Sequence, residues 1–273
     1  MESVISSRQN NIVKYVRSLR EKRNRDQEKL FVVEGFKGVA EAVDSGWMPE
    51  KIFISGHGEN HPQAADILAG VGQAAQIIRV SEDIMDYMSE TEASQGIAAL
   101  IRIPEVSPAS LNIGPGTLVV VADGVQDPGN VGTIIRTADA FGADAVLLTG
   151  GCADLYNAKT IRSTMGSVFH LPVVNGIEVF QLKDFFRQNG ILTAVTSLAE
   201  SAAPLDQMTL RRPLALILGS EARGVSAALS DDADILLKIP MSGSAQSLNV
   251  AVAAGVILYE AFRRHGSSSK SNL

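Results

Sequence analysis

The tightest constraint on the fold is a set of short apolar runs, each ended by a turn and followed by a helical segment. In the second half of the chain these runs read LVVVAD, AVLLTG, ILTAVT, LALILG and ILLKIP. They are continuous rather than alternating. A strand that is apolar on both faces must be covered on both, which marks a parallel sheet between helix layers. Helix-period segments lie between them: VGTIIRTADAFG closed by Gly142, EVFQLKDFFRQNG, and SLNVAVAAGVILYEAFRR. Shorter pieces are expected as a helix over NAKTIRSTMG, a strand at HLPVV and a helix started by SEARGVS. The expected fold is α/β, with a mostly parallel sheet over residues 117–265.

The first half also alternates. LFVVEG, KIFIS, QIIRV and GIAALIRIP read as strands, with helices FKGVAEAVDSG, HPQAADILAGVG and SEDIMDYMSE between them. A helix from Arg8 to Lys22 precedes them, capped by Ser6 or Ser7, with Ile12, Val13, Val16 and Leu19 as its apolar stripe. A small α/β domain over 1–103 is therefore expected. PEVSPASLNIGPG, with three prolines and two glycines, is the linker at 104–116. The end, 266–273, is expected to be a disordered tail.

Composition excludes several classes. The longest apolar runs are far too short to span a bilayer, and no apolar segment follows the first methionine. With a single cysteine, Cys152, no internal disulfide can form. A soluble, cytoplasmic protein is expected. The net charge is −6, yet Arg8 to Lys29 holds eight cations against three acids. That segment carries +5 and the remainder −11, which predicts a basic patch on an acidic body.

GSEARGVS has the spacing of a phosphate-binding loop, but Val225 stands where the lysine is needed. No G-x-G-x-x-G follows a strand, no G-x-S-x-G is present, and Cys152 and the histidines lack metal spacing. Three polar stretches remain, each where a strand's C-terminal end meets a helix, the usual ligand position in an open α/β sheet. In the first, Asn130 is placed as a helix cap, with Arg136 six residues on. In the second, Glu221 is placed at a helix start behind Gly219. In the third, Ser242, Gly243 and Ser244 form a loop before a helix capped by Ser247, with Asn249 in its first turn.

NVGTIIRTADAFGA, LGSEARGVS and IPMSGSAQSLNVAVAAGVILYE resemble, in order and spacing, the three signature motifs of the SpoU/TrmH family of RNA ribose 2′-O-methyltransferases, of the SPOUT superfamily. FVVEGFKGVAEAV resembles that family's substrate-binding domain, which has a ribosomal-protein L30e-like fold. One departure is Arg223, where the family more often has a small residue. The resemblance implies a deep trefoil knot in the second domain. It implies S-adenosylmethionine as cofactor, held in a bent shape by Thr196, Leu218, Gly219, Ile239, Met241, Ser247 and Leu248, largely through backbone groups. It implies Arg136 as the group that activates the ribose hydroxyl, oriented with the ribose by Asn130, Glu221, Ser247 and Asn249. It implies a homodimer formed through the second domain and an RNA substrate, with large-subunit ribosomal RNA expected. The basic segment, at Lys14, Arg17, Arg20, Lys22, Arg23 and Arg25, then has RNA phosphates to grip. The alternatives are a transfer-RNA methyltransferase and a non-catalytic RNA-binding protein.

Overall fold

The computed structural model describes residues 4–269. The chain divides into two compact units, one of Met1–Glu105 with Tyr156–His170, the other of Val106–Leu155 with Leu171–Leu273.

The first unit is built on strands β1 (Leu30–Glu34), β2 (Lys51–Ile54), β3 (Gln76–Arg79) and β4 (Ile97–Arg102), in the order β1-β4-β2-β3. β4 pairs antiparallel with β1 and β2, and β2 pairs parallel with β3. Helices α1 (Asn11–Ser18), α2 (Lys22–Glu28), α3 (Phe36–Asp44), α4 (Gly56–Glu59), α5 (Ala64–Val71) and α6 (Glu82–Met88) complete this part. Val13, Val16 and Leu19 join Phe53, Ile84, Met85 and Leu100 in one core cluster, as the apolar stripe requires. The basic segment forms two helices rather than one. Asn10, not Ser6 or Ser7, caps α1, its side-chain oxygen accepting from the Ile12 N–H at 2.9 Å. α2, KRNRDQE, has no apolar stripe, so periodicity was silent there.

The second unit carries seven parallel strands: β5 (Leu118–Asp123), β6 (Ala145–Thr149), β7 (Val173–Ile177), β8 (Leu192–Thr196), β9 (Ala203–Pro204), β10 (Leu214–Gly219) and β11 (Ile235–Lys238). Their order is β7-β6-β5-β10-β8-β11-β9. All six residues of both β5 and β10 are buried, as continuous apolar runs demand. Helices α7 (Pro128–Ala140), α9 (Val179–Asn189), α10 (Ala227–Ser230) and α11 (Val250–Ser269) belong to this unit. Val106, Leu111 and Ile113 of the expected linker pack on its core cluster, so most of that segment belongs to this unit. The short strand expected at HLPVV begins later and runs on through Asn175 and Gly176. α11 continues to Ser269, because propagating a helix adds one hydrogen bond per residue. Of the tail expected at 266–273, only 270–273 lies outside the described residues.

α8 (Ala158–Thr164) lies between β6 and β7 in sequence, where the second domain was expected to be unbroken. Its segment, Tyr156–His170, is instead part of the first unit. The reason is aromatic and apolar burial. Tyr156 packs on Phe31 with its ring tilted, 4.8 Å between centroids, Phe169 meets Trp47 edge-on at 5.2 Å, and His170 hydrogen-bonds Glu41 at 3.0 Å. Phe169→Ala should cost about 3 kcal/mol of stability, the usual scale for emptying an aromatic site. Trp47 is the only tryptophan. Its emission should shift in the same variant, and urea unfolding followed at that wavelength checks both.

Candidate functional site

The C-terminal ends of β8, β10 and β11 open on one pocket of about 410 Å³ within the second unit. The strand order explains the position. β10 enters between β5 and β8, so the chain leaving β5 and the chain leaving β10 turn away side by side, the switch point where open α/β sheets bind ligands.

All seven residues implied for the cofactor line this pocket. Thr196 comes from the end of β8, Leu218 and Gly219 from the end of β10. Ile239, Met241, Ser247 and Leu248 come from the loop between β11 and α11. Leu218, Leu237, Ile239, Leu248 and Ile257 give the pocket apolar walls, and Thr196 donates from Oγ1 to the Ile217 carbonyl at 3.2 Å. Sequence reasoning missed Ser197, Leu198, Arg223 and Lys238, which also line it.

Gly219 shapes the floor. A Cβ there would lie 2.0 Å from the Gly224 carbonyl carbon and 2.1 Å from the Val225 nitrogen, so only glycine lets the loop fold back this closely. Gly224 has φ of +68° and donates its N–H to the Ser220 carbonyl at 2.8 Å, closing the turn. Glu221 therefore sits in a closed turn, not at a helix start, because α10 begins only at Ala227.

The three polar stretches meet through side chains. Asn249 donates from Nδ2 to Asn130 Oδ1 at 3.1 Å. Asn130 donates from Nδ2 to Glu221 Oε1. The direction is fixed from both ends. A carboxylate only accepts, so Asn130 must turn its amide nitrogen to Glu221. Asn249 Oδ1 is taken by the N–H groups of Ala251 and Val252, at 3.0 and 3.3 Å, so its nitrogen faces Asn130. Asn249, not Ser247, thus caps α11. Asn130 is likewise not the cap of α7: Asp127 is, accepting from the Asn130 N–H at 2.9 Å. Ser247 is exposed at the pocket.

Arg136 is not brought to this chain of three. It is exposed on α7 and absent from the pocket lining. Six residues on from Asn130, it points about 120° away around the helix and lies about 9 Å further along. Asp123 is a further polar group that sequence reasoning missed. Its buried carboxylate accepts from Thr149 Oγ1 at 2.9 Å and from the Ser226 N–H at 2.8 Å, tying the ends of β5 and β6 to the chain after the Gly219 loop. Cys152 donates to the Ala122 carbonyl at 3.2 Å, and burial pushes its thiol pKa up, so it is held as the unreactive thiol.

The basic segment is divided in use. Arg25 is 4% exposed and donates to the Leu19 and Arg20 carbonyls, both at 2.6 Å, at the turn between α1 and α2. Arg20 donates to the Met88 and Ser89 carbonyls at 3.1 and 2.5 Å. Lys22 pairs with Asp26 at 2.7 Å. Lys14 and Arg23 are exposed, and Arg17 lies over the Tyr87 ring.

With this geometry in place, similarity to known proteins decides the family. Residues 117–259 match the SpoU rRNA Methylase family, just over half of the chain. The chain belongs to the SpoU rRNA methylase family. Residues 10–99 match the MRM3-like substrate binding domain. The chain is 38% identical to the 23S rRNA (guanosine(2553)-2′-O)-methyltransferase RlmP of Bacillus subtilis, covering 93% of this chain and 97% of that one. It is 33% identical to the 23S rRNA (uridine(2479)-2′-O)-methyltransferase of Streptomyces viridochromogenes, covering 90% and 86%. A crystal structure of an AdoMet-bound rRNA methyltransferase from Sinorhizobium meliloti superposes with a TM-score of 0.87 at 32% identity, covering 96% of this chain and 98% of that one.

Asn249→Asp separates the two roles of this SpoU-family residue. Aspartate caps a helix as well as asparagine, so stability should change by less than about 0.5 kcal/mol, against a loss of about 1 kcal/mol for Asn249→Ala. Thermal unfolding of both variants checks this. Equal losses would mean that the link to Asn130, not the cap, carries the stability.

Proposed function

We infer that this SpoU-family chain transfers a methyl group from S-adenosylmethionine to a ribose 2′-hydroxyl of large-subunit ribosomal RNA. The observation that carries the reading is the pocket at the strand ends with the Asn249–Asn130–Glu221 chain beside it. The two named relatives methylate 2′-hydroxyls of 23S rRNA, and the substrate-binding match covers the first unit, which favours ribosomal over transfer RNA. An intact polar chain beside a formed pocket argues against a protein that only binds RNA.

The pocket fits the cofactor. Its volume falls within the ~300–1,000 Å³ range of small-molecule sites, with apolar walls and few polar groups. Bound there, S-adenosylmethionine supplies an electrophilic methyl carbon. Leu218, Ile239, Met241 and Leu248 would cover its apolar surfaces, while Thr196, Gly219 and Ser247 would hold its polar groups. Asn130, Glu221, Ser247 and Asn249 orient the ribose. The polar chain holds the Glu221 carboxylate still, so no reorganisation is required when charge develops.

A 2′-hydroxyl is a weak nucleophile until its proton is drawn off. Arg136 favours that loss electrostatically. A guanidinium carries only donors and no acceptor, so it does not take the proton itself. It holds the substrate phosphate and stabilises the developing negative charge on the 2′-oxygen. The proton passes to solvent water as the oxygen–methyl bond forms and the methyl–sulfur bond breaks, with S-adenosylhomocysteine as the leaving group. Because it faces away from its own chain's Asn130, we assign its action to the pocket of a second copy. A homodimer is supported by the exposed apolar row Val252, Val256, Tyr259 and Phe262 along α11, beside Phe141. The insertion of β10 between two strands laid down earlier, with the Gly219 and Ile239–Leu248 loops sharing one pocket, supports a trefoil knot. The four-stranded mixed sheet of the first unit supports an L30e-like class. A ribosomal-RNA substrate favours the cytoplasm as the site of the reaction.

Arg136→Ala should lower methyl transfer to a large-subunit rRNA transcript by at least about 10²-fold, the scale of removing one preorganised electrostatic donor. Affinity for S-adenosylhomocysteine, read by calorimetry, should stay within about twofold of the parent. Parental turnover would remove Arg136 from the chemistry. Gly219→Ala should do the reverse and abolish cofactor binding, since its Cβ overlaps the Gly224 and Val225 backbone. Parental cofactor affinity in that variant would refute the assignment of the pocket.

A further inference from the structure

Two cations of the basic segment are placed by an aromatic ring that lies outside it. Tyr87 sits on α6, whose Ile84, Met85 and Met88 are buried in the core of the first unit, so the ring is anchored from below. Arg20 fixes the same helix end by donating to the Met88 and Ser89 carbonyls, which the helix leaves without partners. Over the ring stand two guanidinium carbons, that of Arg17 at 3.6 Å from the centroid and that of Arg8 at 4.6 Å.

Stacking uses only the face of a guanidinium. Its five N–H donors lie in the plane of the group, so contact made through the face leaves them free for a phosphate. Among the described residues, neither Arg8 nor Arg17 donates a hydrogen bond or joins an ion pair, and Asp83 and Asp86 of α6 pair with neither. Lys14, three residues before Arg17 on α1, is exposed toward the same side. Arg20 and Arg25, by contrast, are consumed by backbone carbonyls.

We propose that Tyr87 organises an RNA phosphate clamp, its ring holding Arg8 and Arg17 with their N–H edges presented to phosphodiesters of the ribosomal-RNA substrate. The clamp rests on the RNA reading above and adds a positioning residue that carries no charge. A stacked arginine has already lost much of its rotamer freedom, so less entropy is lost on binding.

The test is filter binding of the full chain to a large-subunit rRNA transcript across a salt series. Tyr87→Ala should weaken binding about fivefold, the scale of one or two exposed cation–π contacts, with a salt slope near the parent's because both charges remain. Tyr87→Phe, which keeps the ring face, should restore affinity to within about twofold. Arg8→Gln and Arg17→Gln should each reduce the slope by about one. Parental affinity in Tyr87→Ala, or no rescue by Tyr87→Phe, would overturn the clamp. Unchanged slopes in both arginine variants would overturn it too, and they decide the matter if Tyr87→Ala does not fold. A parent that fails to bind the transcript at all would overturn the substrate reading and the clamp with it.

Discussion

The pairing of β10 against β5, Leu214 on Leu118 through to Gly219 on Asp123, is the constraint on which the second unit depends. Both strands are buried along their whole length, so a shift along the pair would strand apolar groups or break ladder hydrogen bonds. The register ends with a glycine beside an aspartate, and both ends are spoken for. Gly219 lets the chain fold back on Gly224, and Asp123 receives the Ser226 N–H from the far side of the same loop. The loop carrying Glu221 is thus clamped at its root and at its exit. Its closeness to Asn130, which follows β5 by seven residues, is a consequence of the strand pairing.

The helix that follows supplies the direction of the polar chain. α11 begins with unpaired N–H groups, and Asn249 satisfies two of them. Spending its oxygen on the helix leaves Asn249 only a nitrogen to offer Asn130, which then has only a nitrogen for Glu221. A capping interaction therefore sets the hydrogen-bond sense of three residues drawn from three segments. A carboxylate fed in this way has one oxygen engaged by the Asn130 amide, a preorganised state at the edge of the pocket.

The parallel sheet was legible because burial on both faces leaves continuous apolar runs, and LVVVAD and LALILG carry that mark unambiguously. The seven residues expected at the cofactor came from motif resemblance alone, since backbone-lined pockets leave little side-chain chemistry to read. Capping positions were misplaced by two or three residues at Ser247 and Asn130, because Asn, Asp and Ser cap almost equally well and local sequence does not choose among them. The excursion Tyr156–His170 was illegible for a different reason. Its apolar residues promise burial but do not say against which unit, and Phe31 and Trp47 settle that only in three dimensions. Asp123 escaped notice because an aspartate ending a strand resembles any turn residue until its partners, Thr149 and Ser226, are seen.

A run of charge does not say which of its cations stay available. Eight cations in a row of 22 positions suggest a uniform basic surface, yet Arg20 and Arg25 close helix ends and Lys22 answers Asp26. The remainder acts against a body that carries the opposite sign. With −11 outside the segment, most of the molecule repels a polyanion, and at physiological salt that field fades within about 8 Å. The cations that stand forward near α1, Lys14 and Arg23 among them, offer a polyanion an attractive surface on that body. An acidic protein that presents a few oriented arginines gains little from indiscriminate adhesion, and the proposed clamp would bias encounters with RNA toward one orientation of the first unit. For an enzyme that must find one ribose among thousands, restricting the encounter in this way is worth more than a larger total charge.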